Sequence, residues 1–308
     1  MNALEESILK TLCYRDLFDY PLTGGEIAEF LIEGDAHPSQ VERVLAQLEA
    51  EGKIGQSQGF YYLSGREKIA AVRRQRELIS ERKYARALKL AQILHRFPWI
   101  RAVFITGALA AGNAEKEADL DFLVITRRNR VWLTRLGAYL LFSVLGWKRP
   151  REVVEAPDQV CLNMFLAEDE LAVPDEEQNL FTAHEVALSR PLWAKDFLHQ
   201  RFLGENPWVK NFLPNVELPE VKIPALKPSS RQVAVIQGVV KPIFNLADWV
   251  SHRLQLLYMR GRRTREVVER NRILFHPIDL SREILAAYRV KLYAQLHRNP
   301  SYSDANAS

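Results

Sequence analysis

The chain has 308 residues, with 47% hydrophobic and 26% charged side chains and a formal net charge of +4. That is the composition of a soluble globular protein with room for two or three domains. It excludes a disordered chain, a collagen-like chain and a disulfide-rich secreted scaffold. The two cysteines, Cys13 and Cys161, stand far apart in apolar surroundings and read as free thiols in a reducing compartment. The N-terminus lacks the basic and apolar regions of a secretory signal, so the expected location is the cytoplasm. The most apolar stretch, 131–147, contains Arg135 and is short for a membrane span. It reads as a buried helix, and no membrane partner is expected.

In chain order, Leu4, Ile8, Leu9 and Leu12 set a first helix over 3–17. Thr23 and Glu26 form a capping-box pattern that opens a second helix over 24–33. Ser39 is placed to cap a third, with Val41, Val44, Leu45 and Leu48 on one face. Residues 53–55 and 59–63 flank a short polar turn and read as a β-hairpin. Three helices and a hairpin within residues 1–66 have the layout of a winged helix-turn-helix domain. Its charge argues against duplex DNA as a partner. Residues 1–60 carry eleven acidic and four basic side chains, and the candidate recognition helix holds Glu42, Glu49 and Glu51 against Arg43. A protein contact suits that surface better, including the basic segment that follows. Residues 66–96 form a helix with ten Lys/Arg against three Glu.

Beyond a connecting helix over 67–98, the strands expected are 100–106, 120–126 and 159–166, with the apolar helix 131–147 before the last. Residues 179–202 read as helical. Five prolines between 206 and 228 suggest an extended linker or a strap. Helices are expected again over 231–259 and 280–297, and residues 299–308 read as a disordered tail. The domains expected are therefore 1–66, a connecting helix 67–98, a central unit 99–205, a linker 206–230 and a helical C-terminal region 231–298.

The chemistry is concentrated in the segment Thr106-Gly107-Ala108 to Thr126. A strand ends in a glycine turn, a polar stretch follows, and the next strand begins Asp119-Leu120-Asp121. Alternation along a strand puts both carboxylates on one face, about 6–7 Å apart. Such a pair can bind a divalent cation with oxygen ligands. The glycine lets the backbone approach a phosphate closely.

This stretch resembles the signature of the DNA polymerase β-like nucleotidyltransferase superfamily, in its minimal form. That signature reads Gly-Ser-x-Ala-x-Gly, a polar stretch, then Ser-Asp-hydrophobic-Asp, and Gly107, Ala110, Gly112, Asp119 and Asp121 fall on it without a gap. The resemblance implies an α+β fold in which a mixed nucleotidyltransferase sheet with helices follows the winged-helix-like domain and precedes the helical C-terminal region. It implies Asp119 and Asp121 as catalytic residues holding Mg²⁺ or Mn²⁺, with Thr106, Gly107, Ala108 and Gly112 around the phosphates of an NTP. The third ligand of the family lies on a later strand, where Asn163 stands here; Asp158 serves only in another register. Ala108, Ala111 and Ala118 replace two hydroxyls and an arginine common in minimal members. Two readings therefore stand: a Mg²⁺-dependent nucleotidyltransferase acting on an unspecified acceptor, or a degenerate domain that binds nucleotide or serves as a scaffold. The clusters Arg73-Arg74-Arg76, Arg127-Arg128-Arg130 and Arg260 to Arg272 are solvated faces or a phosphate rim. His276 reads as a cap or packing residue.

Overall fold

The computed structural model describes residues 2–149, 157–219, 231–260, 267–274 and 278–297, leaving aside the side chains of Asn163, of residues 231–241 and of Val267, Ile278 and Asp279. The chain opens with helix α1 (Ala3–Asp16), capped by Asn2, whose side chain accepts from the Glu5 amide. Helix α2 (Gly24–Glu29) starts from a complete capping box between Thr23 and Glu26. It ends four residues short of the expected boundary. Phe30, Leu31 and Ile32 are buried instead in the helical core, and the Ile32 amide donates to Thr11 Oγ1 at 3.0 Å. Helix α3 (Pro38–Ala50) is capped by His37 rather than Ser39, with Pro38 in its first turn. Strands β1 (Ile54–Ser57) and β2 (Phe60–Leu63) form an antiparallel hairpin. Its turn residues Gln58 and Gly59 both have positive φ, which a tight two-residue hairpin requires.

Helix α4 (Ile69–Leu94) then leads into β3 (Ile100–Ile105), the short turn α5 (Gly107–Ala110), β4 (Leu120–Thr126), α6 (Val131–Val144) and β5 (Val160–Ala167). After α7 (Leu180–Leu188) come β6 (Arg190–Ala194), α8 (Leu198–Gly204), α9 (Arg231–Met259), β7 (Val267–Val268), β8 (Arg272–Leu274) and α10 (Ile278–Leu296). The class is α+β. Six strands form one mixed sheet in the order β6-β3-β4-β5-β8-β7, in which only the β4–β5 pair is parallel.

Alternation divides the sheet between two cores. Val103, Ile105, Phe122 and Val124 face α4, α6 and the end of α9. Ala102, Phe104, Leu123 and Ile125 face α7 and α8 and join the core of the N-terminal helices. Expected helix 179–202 is interrupted by β6. Ser189 and Pro191 break the helical run, and proline is tolerated because β6 is an edge strand. The short strands β7 and β8 carried no readable period; pairing of β8 with β5, and of β7 with β8, defines them. Residues 206–219 run as a strap. Asn206 is fully buried and holds the Val173 amide, the Trp208 indole and the carbonyls of Leu171 and Phe202. Asn215 donates to the carbonyls of Ala28 and Ala36. The expected linker residues 220–230 and tail 299–308 lie outside the described residues, as does His276. Among the described residues no helix is long and apolar enough to cross a membrane.

Helix α4 joins the N-terminal helices to the sheet. Arg73 bonds Glu26 at 2.8 Å, Glu77 at 2.9 Å and the Pro21 carbonyl at 3.0 Å, with the Tyr20 ring 3.8 Å beneath it. Arg66 pairs with Asp16 and Asp19. Of the N-terminal acidic groups, Glu26 of α2 is engaged by α4, and Asp16 and Asp19 are engaged by Arg66 just ahead of it. Glu42, Glu49 and Glu51 of α3 remain exposed. Because Arg73 is only 7% exposed, its loss strands a partly buried carboxylate. Arg73→Ala is expected to lower unfolding free energy by about 3 kcal/mol. Arg74→Ala, at a side chain 56% exposed, should change it by less than about 1 kcal/mol. Chemical denaturation of the two variants checks this.

Candidate active site

Strand β4 is central in the sheet and its middle is buried on both faces, so polar side chains can emerge only toward its ends. Asp121 is its second residue and Asp119 directly precedes it. Both have the parity of Leu123 and Ile125, so they point to the α7 face. The strand is tied to the glycine turn by its backbone: the Thr106 amide donates to the Asp121 carbonyl at 3.1 Å. Gly107 follows with φ +63, and a Cβ there would lie 2.9 Å from Asp121 Oδ2. Glycine is therefore required twice, by the left-handed backbone and by the carboxylate beside it. Ala108 is exposed at the start of α5, whose first-turn amides have no partner within the helix. Gly112, also at positive φ, closes the turn.

Across the parallel β4–β5 ladder the residue paired with Asp121 is Cys161. One ligand atom each from Asp119, Asp121 and Cys161 lie within 4.8 Å of one another, the group among the described residues with the spacing of a metal site. The backbone of Asn163 lies beyond an irregularity in that ladder, and its side chain lies outside the described residues. Asp158 turns away to Lys83 at 3.0 Å. Arg149 Nη1 reaches Asp119 Oδ2 at 2.6 Å.

These groups set one another's charge. Burial pushes the Asp121 carboxyl up to about 7, and the neighbouring Asp119 charge adds to that; Arg149 and a hydrogen bond from Cys161 only partly offset it. Burial also raises the Cys161 thiol, helped by the charges of Asp121 and Asp119, so it is protonated at neutral pH. Arg149 is ion-paired with Asp119.

The loop from Gly107 to Ala118 is held from outside the sheet. Tyr20 donates its hydroxyl to the Ala111 carbonyl. Asn113 donates to the Phe18 carbonyl at 2.9 Å and accepts from Arg76 at 3.2 Å. Ser80 accepts from the Ala114 amide at 3.0 Å, and Lys83 donates to the Ala118 carbonyl at 2.7 Å, immediately before Asp119. Of the first cluster, Arg76 clamps the turn after α1 to this loop, while Arg73 bonds Glu26 and the Pro21 carbonyl and Arg74 bonds the Gln58 carbonyl of the hairpin. Arg127 and Arg128 follow the far end of β4, about 20 Å along the strand from Asp121. Arg130 there bonds Asn245 at 2.7 Å. Of the third cluster, Arg272 is buried on Glu177, and residues 261–266 lie outside the described residues. The sequence reading passed over Arg149, Lys83 and the placement of Cys161. Only the alternation on β5 hinted at Cys161; nothing local marked the other two.

No protein-family model matches the chain, and no curated protein matches it. Among solved structures, a crystal structure of a toxin-antitoxin with AMP-PNP overlaps 39% of this chain and 79% of its own, at 14% identity and a TM-score of 0.24. An overlap of that quality carries no argument about fold or ligand.

Two outcomes follow from the geometry. Asp121 holds its proton more tightly folded than unfolded, so its contribution is present below the unfolded carboxylate range, near pH 4, and is lost as pH rises through about 7. Without added metal, stability measured by denaturation should fall across that window, and Asp121→Asn should flatten the slope. Gly107→Ala should cost at least about 1–2 kcal/mol from the left-handed backbone alone, with a further loss from displacing Asp121. Pairing Gly107→Ala with Asp121→Ala, which removes the carboxylate the new Cβ would strike, isolates that second part.

Proposed function

We propose that the chain is a divalent-cation-dependent nucleotidyltransferase, moving a nucleoside monophosphate from an NTP to an acceptor. The observation that carries this reading is the convergence of Asp119 and Asp121 beside the Gly107 turn, on adjacent strands of a mixed sheet. The same residues form the nucleotidyltransferase-like pattern in the sequence. On this reading the central unit spans residues 99–205, and residues 1–66 form a winged-helix-like domain used for packing and protein contact. The exposed Glu42, Glu49 and Glu51 disfavour duplex DNA there.

The donor set suits a divalent cation. Ligands about 2 Å from an ion are at most about 4 Å apart, so the three ligand atoms, now within 4.8 Å of one another, would close by under about 1 Å on an ion. Carboxylates suit Mg²⁺ and Mn²⁺, and the Cys161 sulfur, if it released its proton to a bound ion, would favour the softer Mn²⁺. When bound, the cation would neutralise charge on the phosphate oxygens. Asp119 and Asp121 hold and orient it, Gly107 leaves room for the phosphates, and the first amides of α5 donate to them. In the transfer, an acceptor oxygen bonds to the α-phosphorus, its proton is released, and the bond to pyrophosphate breaks. The work of this chain is positioning and charge stabilisation.

A second reading, a degenerate nucleotide-binding scaffold, is favoured by one feature: a thiol, Cys161, stands opposite Asp121 and supplies no carboxylate. Both readings predict cation binding, and turnover separates them. Mn²⁺ and Mg²⁺ are expected to raise the thermal midpoint by mass action, and Asp121→Asn should abolish the gain without unfolding the protein. Incubation with each NTP and detection of released pyrophosphate then tests transfer. An unchanged metal response in Asp121→Asn rules out this pair as the site.

A further inference from the structure

We propose that Arg149 makes cation binding at the carboxylate pair conditional on the phosphate that arrives with the cation. The inference rests on the reading of Asp119 and Asp121 as the cation site.

The backbone around Arg149 is fixed. Its amide donates to the Val160 carbonyl at 3.1 Å, the Val160 amide donates to the Trp147 carbonyl at 2.7 Å, and Lys148 bridges Val160 in parallel. Residues 147–149 therefore run beside the start of β5, on the side away from β4. Alternation sends the two basic side chains apart. Lys148 lies over the Tyr139 ring of α6 at 4.1 Å, with its amine 3.0 Å from the hydroxyl. Arg149 goes to the opposite face and spans Cys161 of β5 to reach Asp119 ahead of β4. The arginine is anchored by its main chain, and its side chain is still 32% exposed.

Charge decides what this placement does. With both carboxylates ionised, the pair and Arg149 sum to −1. A divalent cation bound alone turns that sum to +1 and sits against a guanidinium that has lost its partner. A triphosphate entering with the cation removes the conflict. It supplies several negative oxygens, and a guanidinium binds phosphate in the two-pronged manner it uses with carboxylates. Arg149 thus opposes the free ion and favours the ion–triphosphate complex. It also supplies a cation that the glycine turn lacks, since Ala111 stands where minimal nucleotidyltransferases often carry arginine. Arg149 is a positioning and selectivity residue: it discriminates a metal carrying phosphate from a metal without it.

The test is calorimetric titration of the full-length chain with Mn²⁺ alone and with preformed Mn²⁺–tripolyphosphate, using wild type, Arg149→Met, Arg149→Lys and Asp121→Asn. Arg149→Met should bind free Mn²⁺ roughly tenfold more tightly than wild type and the complex roughly tenfold more weakly, the scale of one charge at close range. A merely structural role would weaken both. Arg149→Lys keeps the charge and loses the fork, so its affinity for free Mn²⁺ should match wild type and its affinity for the complex should fall severalfold. The proposal is overturned if Arg149→Met binds free Mn²⁺ no more tightly, or the complex no more weakly. Should that variant not fold, wild-type affinity of Arg149→Lys for the complex overturns it. If wild type and Asp121→Asn bind the complex alike, the carboxylate site itself is wrong, and the proposal falls with it.

Discussion

A strand in the middle of a sheet with both faces covered has few places to carry charge, and β4 shows the consequence. Phe122 and Val124 are buried against α4 and α6, and Leu123 and Ile125 against the opposite core. Two carboxylates can exist on this strand only where the covering layers end. They do so at its start, where the glycine turn leaves β3 and the backbone of Thr106 is bonded to that of Asp121. The hydrophobic middle of β4 thereby fixes both the position and the common direction of Asp119 and Asp121.

The second structural necessity is support for the loop between the strands. It contains few apolar anchors and is held instead by polar groups from the turn after α1 and from α4. Helix α4 changes character along its length to do this. Arg73, Ser80 and Lys83 are buried in its first two-thirds, followed by Ala87, Leu90, Ala91 and Leu94 on the same side. The polar part clamps Glu26, Ala114 and Ala118, and the apolar part packs on the sheet. A helix that looks like a charged connector is thus the spine between the N-terminal helices and the candidate site. The contact between Tyr20 and Ala111 makes the N-terminal unit part of the wall of the glycine turn.

Electrostatically the site is held short of full ionisation. Burial and mutual repulsion keep a proton near Asp121, Cys161 stays a thiol, and Arg149 balances Asp119. The repulsion between the two carboxylates is relieved by added positive charge, whereas the Arg149–Asp119 pair opposes it. The arrangement is costly as a structural element, since a buried apolar pair would be cheaper, and is suited to receiving a cation.

Local features of the chain determined most of its elements. Helical spacing marked α1 and α3, the Thr23–Glu26 capping box marked the start of α2, a long charged stretch marked α4, a long apolar stretch marked α6, and short apolar runs marked β3, β4 and β5. These rest on neighbours within a few residues, which a sequence displays directly. The common face of Asp119 and Asp121 and the need for Gly107 were legible for the same reason. Tertiary structure decided what depends on distant partners. β6, β7 and β8 are too short to show a period and exist by pairing. The end of α2 was set by the burial of Phe30 to Ile32 against α1. Cys161 came opposite Asp121 through the register of a parallel ladder, which no local pattern encodes. Arg149, thirty positions from Asp119, reached it only because residues 147–149 were pinned beside β5.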